Sequence, residues 1–298
     1  MLDSLSFTNF KSWEKADLQC GRITGIFGTN SSGKTSLLQF LLLLKQTKEA
    51  TDRGIALELN GDFVELGTIR DAIHCHDEER SIVINLAFGL PTDLSLADPS
   101  EKRTATVAKG RILGFEAEIG VQQRAPVARR IAYTLGEMSF ALAPRKGEAT
   151  SFDLSAAPLN GLGTNFSFKR TIGRKWQLPG PIKSYAFPDQ ARTYFQNSGF
   201  LSNLEAAYEA QLDEVFYLGP LREYPKRDYL WARSRPTNVG QRGEKTIDAI
   251  LAATEAGEKR NLRSKARLMP RDNQDENSAT IRMRMPPRGY RRKGVARL

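Results

Sequence analysis

Short apolar runs separated by polar residues open the chain, in an order that predicts strands. Residues 4–10 and 16–19 each have the length and alternation of a short strand. The apolar residues 23–27 predict a third strand, which ends at Gly28, the first residue of a loop rich in glycine and serine. The chain therefore begins with strands and leads into a glycine loop.

Leucines at helical spacing follow this loop, and they predict a helix from Gly33 to about Glu49. The most apolar stretch, residues 37–44, is interrupted by Gln39 and is far shorter than the roughly 20 residues that cross a bilayer. We therefore expect a buried helix and no membrane span.

The middle of the chain changes to short alternating runs separated by Gly, Pro, Asn and Asp. This pattern, over residues 81–183, favours antiparallel strands and hairpins. Residues 201–213 and 244–256 then predict helices, and residues 214–218 predict a buried strand that stops at Gly219. Beyond these elements the apolar periodicity ends.

The net charge of +10 is confined to one end of the chain. Residues 259–298 contain 13 Lys and Arg against 3 Asp and Glu, which accounts for the whole excess. The remaining residues are neutral in total, so the basic composition predicts nucleic-acid binding only for this tail.

Two cysteines, Cys20 and Cys75, are too few for a disulfide framework in 298 residues. The first residues also lack the basic and apolar regions of a signal peptide. Both observations favour a cytoplasmic location.

The strongest motif is the segment from Gly28 to Thr35, which matches the phosphate-loop pattern G-x-x-x-x-G-K-[ST]. Glycines at both ends allow the backbone to approach a phosphate closely, and the following helix directs its positive end at the anion. Lys34 suits the β- and γ-phosphates, and the Thr35 hydroxyl suits Mg²⁺. The predicted nucleotide-binding residues are Gly28, Thr29, Asn30, Ser31, Ser32, Gly33, Lys34, Thr35 and Ser36, with Thr35 as the metal ligand.

Motifs of GTP-binding proteins are missing from the sequence. No Asn is followed by Lys, as the guanine-reading motif N-K-x-D requires, and no Asp has Gly three residues later. We therefore expect ATP and Mg²⁺ as the ligands.

Residues 6–13 and 23–39 resemble the N-terminus of SMC/RecF/OLD-like ABC-type ATPases, particularly bacterial AAA-family proteins with a C-terminal domain of unknown function. Residues 67–74 and 216–227 resemble further motifs of these proteins. The resemblance implies an ATP hydrolase that works as a homodimer or with a second lobe, and a role in DNA repair or defence.

The resemblance also implies a fold class, an α/β P-loop NTPase lobe with an inserted antiparallel β subdomain. We expect the core with the phosphate loop at residues 1–80 and the β-rich subdomain at 81–185. Residues 186–258 would return to the α/β core, and residues 259–298 would form a basic, disordered tail.

Two motifs that the family requires are missing. The Walker B motif places Asp-Glu after an apolar strand, whereas the three Asp-Glu pairs, at positions 77, 213 and 275, follow polar sequence or a helix. No Leu-Ser-Gly-Gly-Gln signature occurs either. We therefore expect an ATP-binding lobe that does not hydrolyse ATP alone. The alternative is a non-hydrolysing, nucleotide-dependent interaction module that docks on a partner protein or nucleic acid.

Three weaker features remain open. His74, Cys75 and His76 are potential metal ligands, but no further cluster completes a site, and the resemblance places them in the first lobe. The basic residues Arg222, Lys226 and Arg227, interleaved with Tyr217, Tyr224 and Tyr229, would meet phosphate or nucleic acid. The alternative, which we favour, is a solvated loop with its tyrosines on the body. The tail is either a nucleic-acid arm or a truncated or out-of-frame end that begins near Pro270.

Overall fold

Seven antiparallel strands form one sheet in the computed structural model, which describes residues 1–98, 105–145, 147–161, 166–173, 176–236 and 238–257. The strands are β1 (Leu2–Phe10), β2 (Trp13–Gln19), β3 (Ile82–Asp98), β4 (Ala105–Gln122), β5 (Ala125–Leu135), β6 (Met138–Arg145) and β7 (Glu148–Pro158). Their order in the sheet is β2-β1-β3-β4-β5-β6-β7. Strand β1 therefore joins the N-terminal hairpin to the strands of the middle region.

The helices in the described residues are α1 (Lys34–Glu49), α2 (Ile69–Ala72), α3 (Asp189–Tyr194), α4 (Leu201–Asp213) and α5 (Thr246–Glu255). Helices α1 and α4 pack on one face of the sheet, because every second residue of its central strands is apolar and buried. Phe40 of α1 stacks on Phe7 of β1 with ring centroids 4.1 Å apart. Tyr208 of α4 lies 4.5 Å from Phe115 of β4, centroid to centroid.

The C-terminal end of α1 is held by a buried lysine from a distant part of the chain. Lys183 Nζ donates hydrogen bonds to the carbonyl oxygens of Lys48 and Ala50, at 2.8 and 2.7 Å. These carbonyls have no partner within the helix, so the lysine satisfies them and places its positive charge at the negative end of the helix dipole. Burial lowers the pKa of Lys183. This contact fixes the position of the helix whose other end carries the phosphate loop.

The structure confirms most of the elements that the sequence predicts. The first two strands, the antiparallel strands of the middle region and the helices α1, α4 and α5 all form. Strand β7, which lies within the β-rich region predicted for residues 81–183, forms an edge of the sheet. Strands from residues 1–80 and from residues 81–185 share this sheet, and the division of the chain into four segments stays a prediction.

Two predicted strands are wrong. Residues 23–27 and 214–218 form no strand, and no strand within the described residues pairs with either segment. A buried strand needs hydrogen-bonded neighbours, and without them the backbone stays irregular and several of the apolar side chains stay in solvent. Phe27 is accordingly 79% exposed and Phe216 is 62% exposed.

Other sequence-based predictions fall outside the described residues or concern membranes. Residues 259–298, the proposed end near Pro270 and the pair Asp275-Glu276 all lie outside the described part of the chain. None of the described helices has the length and apolar character to cross a bilayer.

Candidate phosphate-binding site

The phosphate loop leads directly into the exposed first turn of α1. Gly33 is the residue that caps this helix, and it has a left-handed backbone with φ 85°. Ser31 also has a positive φ, of 63°. The first N–H groups of a helix have no partner within it and carry partial positive charge, so this turn is suited to an anion.

A cavity of about 450 Å³ lies at this helix end. Seven of the nine predicted binding residues line it, and two residues of the β1–β2 turn complete the wall. The lining residues are Lys11, Ser12, Asn30, Ser31, Ser32, Gly33, Lys34, Thr35 and Ser36. Gly28 and Thr29, although predicted, lie outside this lining.

The side chain of Lys34 folds back onto its own loop. Its Nζ donates hydrogen bonds to the carbonyl oxygens of Gly28 at 2.9 Å and Thr29 at 2.5 Å, and lies 3.5 Å from Ser32 Oγ. The ammonium group is therefore held over the loop by carbonyl oxygens, which are weaker partners for it than the charged oxygens of a phosphate.

The turn between β1 and β2 packs against the second half of the phosphate loop. Trp13 Nε1 donates a hydrogen bond to the Gly33 carbonyl oxygen at 3.0 Å. A Cβ atom on Gly33 would lie 2.5 Å from Ser12 Oγ and 2.6 Å from Trp13 Nε1. Glycine is therefore required at position 33 both for its positive φ and for the space that this turn occupies.

Lys11 and Ser12 were not among the predicted site residues. Lys11 Nζ donates a hydrogen bond to Gln39 Oε1 of α1 at 3.1 Å, and burial lowers the pKa of this lysine. The turn lies 15 or more residues before the phosphate-loop glycines, so the loop motif does not include it. The sequence contains one indication of this turn: it lies between two predicted strands, in a stretch that resembles the family.

Residues 68–76 support the other side of this turn. The Lys11 backbone N–H donates to the Ala72 carbonyl oxygen at 2.8 Å, and His74 Nδ1 lies 2.8 Å from the Lys11 carbonyl oxygen. His76 Nδ1 makes a similar contact with the Arg70 carbonyl oxygen, at 2.8 Å. Both imidazoles of the weak metal motif therefore contact backbone carbonyls.

The acidic pairs within the described residues have structural contacts. Asp213 ends α4, and its Oδ1 accepts a hydrogen bond from Lys48 Nζ at 2.5 Å. Asp77 Oδ1 accepts from the backbone N–H of Glu79 at 3.1 Å. Neither aspartate follows a strand, so neither has the setting of a Walker B residue.

The basic and aromatic segment after residue 215 is bound to the turn before α5. The backbone N–H groups of Gly219 and Glu223 donate to the carbonyls of Gln241 and Arg242, at 2.8 and 3.0 Å. Tyr224 is 89% exposed, so this tyrosine does not pack on the body as the solvated-loop interpretation expects.

A glycine loop that wraps the start of a helix, with a lysine and a threonine at its end, is typical of nucleoside-triphosphate-binding proteins. The family model for the AAA ATPase domain matches residues 1–159, and the chain belongs to this family. None of the curated proteins matches it.

One solved structure with a partial likeness was reported as "Structural biochemistry of ATP-driven dimerization and DNA stimulated activation of SMC ATPases". The two chains are 17% identical, and the match covers 45% of this chain and 68% of the other, with a TM-score of 0.25.

Proposed function

We propose that this chain binds Mg-ATP through residues 28–36, as the first lobe of an SMC/RecF/OLD-like ATPase. The observation that carries this proposal is the cavity at the start of α1, lined by the loop and by two lysines, Lys11 and Lys34. Backbone N–H groups of the loop would bind phosphate oxygens, and Lys34 would move from its carbonyl partners to the β- and γ-phosphates. The Thr35 hydroxyl would bind Mg²⁺, which neutralises phosphate charge when present.

The finer fold assignment is part of this proposal. We assign the chain to an α/β lobe in which residues 81–185 are an antiparallel insertion between two parts of the core. The match of residues 1–159 to the AAA ATPase family supports the lobe, and the antiparallel pairing of β3 to β7 supports the insertion.

Hydrolysis would need groups from outside the described lobe. Phosphoryl transfer requires Mg²⁺ and an oriented water molecule, and no Asp-Glu pair in the described residues follows a strand. A second lobe, or a second copy of the chain, would supply these groups. The exposed apolar side chains of residues 23–27 and 214–218 favour such a partner, because large apolar patches on a protein surface mark interaction sites.

A titration of the purified chain with Mg-ATP, Mg-ADP and Mg-GTP tests the proposal. We expect saturable binding of the adenine nucleotides, and Lys34→Ala should lose most of it while circular dichroism and the unfolding midpoint stay unchanged. The hydrogen bonds of the Lys34 side chain are exposed and join it only to its own loop, so this side chain contributes little to the core. Equal ATP affinity in the variant and the wild type would refute the phosphate-loop assignment.

The second candidate is a non-hydrolysing, nucleotide-dependent interaction module. The exposed apolar residues of the segment after α4, among them Leu221 at 72% and Leu230 at 100%, favour docking on a partner protein. Nucleic acid is the partner that the basic residues 259–298 favour, and their deletion should then abolish salt-sensitive DNA binding.

A cytoplasmic location stays a prediction, consistent with the two free cysteines, Cys20 and Cys75.

A further inference from the structure

The β1–β2 turn has a strained backbone at the residue that lines the phosphate cavity. Lys11 has a φ of 49°, which lies in the left-handed region that residues other than glycine and asparagine rarely adopt. Such a conformation is unfavourable and persists only when neighbouring contacts impose it. The contacts that hold Lys11 therefore decide where its side chain and Ser12 lie.

Both backbone polar groups of Lys11 are bound by residues 72–74. Its N–H donates to the Ala72 carbonyl oxygen at 2.8 Å, and its carbonyl oxygen lies 2.8 Å from His74 Nδ1. Phe10, the residue before it, also makes an isolated antiparallel bridge with Ile73. The turn is thus fixed from the side opposite the phosphate loop.

The chemistry of the His74 contact assigns the proton. A carbonyl oxygen only accepts hydrogen bonds, so Nδ1 of His74 must carry the hydrogen, and in the neutral ring Nε2 is then unprotonated. The side chain of His74 is consequently a hydrogen-bond donor. The methyl group of alanine cannot replace this donor, whereas the side-chain amide of asparagine can.

A continuous series of contacts connects His74 to the phosphate loop. His74 binds the carbonyl of Lys11, and Lys11 and Ser12 line the cavity. Trp13, two residues after Lys11, binds the carbonyl of Gly33, the cap of α1. A side chain that lies on the far side of the turn is therefore connected to the anion-binding end of the helix.

We propose that His74 is a positioning residue of the nucleotide site, which holds the turn of residues 11–13 against the phosphate loop through its Nδ1–H bond to the Lys11 carbonyl oxygen. The proposal rests on the function proposed above, that the loop binds Mg-ATP. His74 itself does not touch the nucleotide, and its contribution to affinity is the fixed placement of Lys11, Ser12 and Gly33.

The chain offers a matched control. His76 is two residues away, makes the same kind of Nδ1 contact with a carbonyl oxygen at the same 2.8 Å, and binds Arg70 rather than the turn. The full sequence contains only these two histidines. Any general effect of losing an imidazole from this segment would therefore occur in His76→Ala as well.

The experiment titrates Mg-ATP into the full chain and into the variants His74→Ala, His74→Asn, His76→Ala and Lys34→Ala. Because one hydrogen bond to a strained turn is lost, we expect His74→Ala to bind ATP about tenfold more weakly. His74→Asn, which keeps an N–H donor, and His76→Ala should both stay within about twofold of the wild type. Affinity that is unchanged in His74→Ala, equally reduced in His76→Ala, or not restored in His74→Asn overturns the proposal.

A measurement without nucleotide separates this proposal from the proposed function. Nitrogen-15 NMR of histidine-labelled chain reports which ring nitrogen carries the proton, and His76→Ala assigns the two signals. We expect the neutral ring of His74 to be the tautomer with a protonated Nδ1 and a bare Nε2. The opposite tautomer refutes the hydrogen bond even if ATP binds. A wild-type chain that has the expected tautomer but binds no ATP refutes the proposed function, and with it the role in nucleotide binding, but leaves the hydrogen bond to the turn established.

Discussion

Trp13 and Gly33 are joined by a hydrogen bond from the indole Nε1–H to the carbonyl oxygen, 3.0 Å long. The same carbonyl accepts the backbone N–H groups of Ser36 at 3.0 Å and Leu37 at 3.4 Å, which are the first hydrogen bonds of α1. It therefore has one side-chain donor in addition to the donors of the helix. The tryptophan of a surface turn thereby fixes the cap of the helix that begins at the phosphate loop.

Trp13→Phe should lower both stability and ATP affinity. The phenyl ring keeps most of the packing but removes the side-chain donor to the Gly33 carbonyl, which should cost about 1 kcal/mol of unfolding free energy. Urea denaturation and an Mg-ATP titration measure the two effects. Trp231→Phe is the control, because its Nε1–H bond to the Ser234 carbonyl at 3.1 Å lies within one local segment. Equal effects of the two substitutions on ATP affinity would contradict the role of Trp13.

Gly33→Ala should be more damaging than the same change at another left-handed glycine. Gly147 has a φ of 82°, close to the 85° of Gly33, but a Cβ atom there would meet nothing within 4 Å. Gly147→Ala should therefore cost only the backbone strain, about 1 kcal/mol. Gly33→Ala adds the collision with Ser12 and Trp13, and we expect a larger loss of stability together with loss of Mg-ATP binding.

Thermal and chemical unfolding of both glycine variants provide the comparison. Because the two glycines have nearly the same φ, the difference between the two losses of unfolding free energy gives the steric part of the cost of Gly33→Ala. If Gly33→Ala were no more costly than Gly147→Ala, the turn would not be packed on the loop as described.

The start of α2 should loosen at low pH. Asp71 Oδ2 accepts hydrogen bonds from the Thr68 hydroxyl at 2.6 Å and from the Thr68 backbone N–H at 2.9 Å. These bonds hold the pKa of Asp71 below its ordinary value of 3.8. Their contribution is therefore fully present above pH 3.8 and is lost as the pH falls through the lower pKa of the folded state.

Amide hydrogen exchange or the NMR chemical shift of the Thr68 amide, followed during an acid titration, measures this transition. Asp71→Asn should abolish the pH dependence, because the amide side chain does not titrate in this range. A Thr68 signal that titrates in the same way in the variant would show that another group controls it.

The purified chain should release phosphate from ATP very slowly or not at all. Within the described residues Asp213 is paired with Lys48, and Asp71 is committed to Thr68, so neither carboxylate is free to bind Mg²⁺ or orient water. A steady-state phosphate-release assay tests this expectation, with Lys34→Ala as the control for contaminating ATPases. Robust turnover that Lys34→Ala removes would contradict it, and Glu214 and Asp71 would be the first residues to substitute.

Helices and strands that depend on a local pattern of residues could be predicted from the sequence. The alternation of Ile82, Ile84 and Leu86 with less buried residues is a local property, and β3 forms as it predicts. The same holds for the leucines of α1. Residues 23–27 show the opposite case, because an apolar run does not reveal whether neighbouring strands exist to pair with it.

The phosphate loop was predictable for the same reason, since its residues are consecutive. The contacts that complete the site join residues far apart in the sequence. Trp13 and Gly33 are 20 residues apart, and Lys11 and His74 are 63 residues apart. No spacing rule links such pairs, so Lys11, Ser12 and His74 became visible only when the fold brought them together.

The position of β1 between β2 and β3 also sets the order in which the chain can fold as it is synthesised. Leu2 pairs with Phe88, so β1 is synthesised well before its second neighbour and lacks it until β3 has been translated. At the usual rate of synthesis this delay is on the order of ten seconds. During that time β1 has one open edge, available to other nascent chains, although the turn beside the phosphate loop can already form its contacts with residues 72–74. The sheet that carries the site is therefore complete only after translation has passed β3, even though the glycine loop lies within residues 28–35.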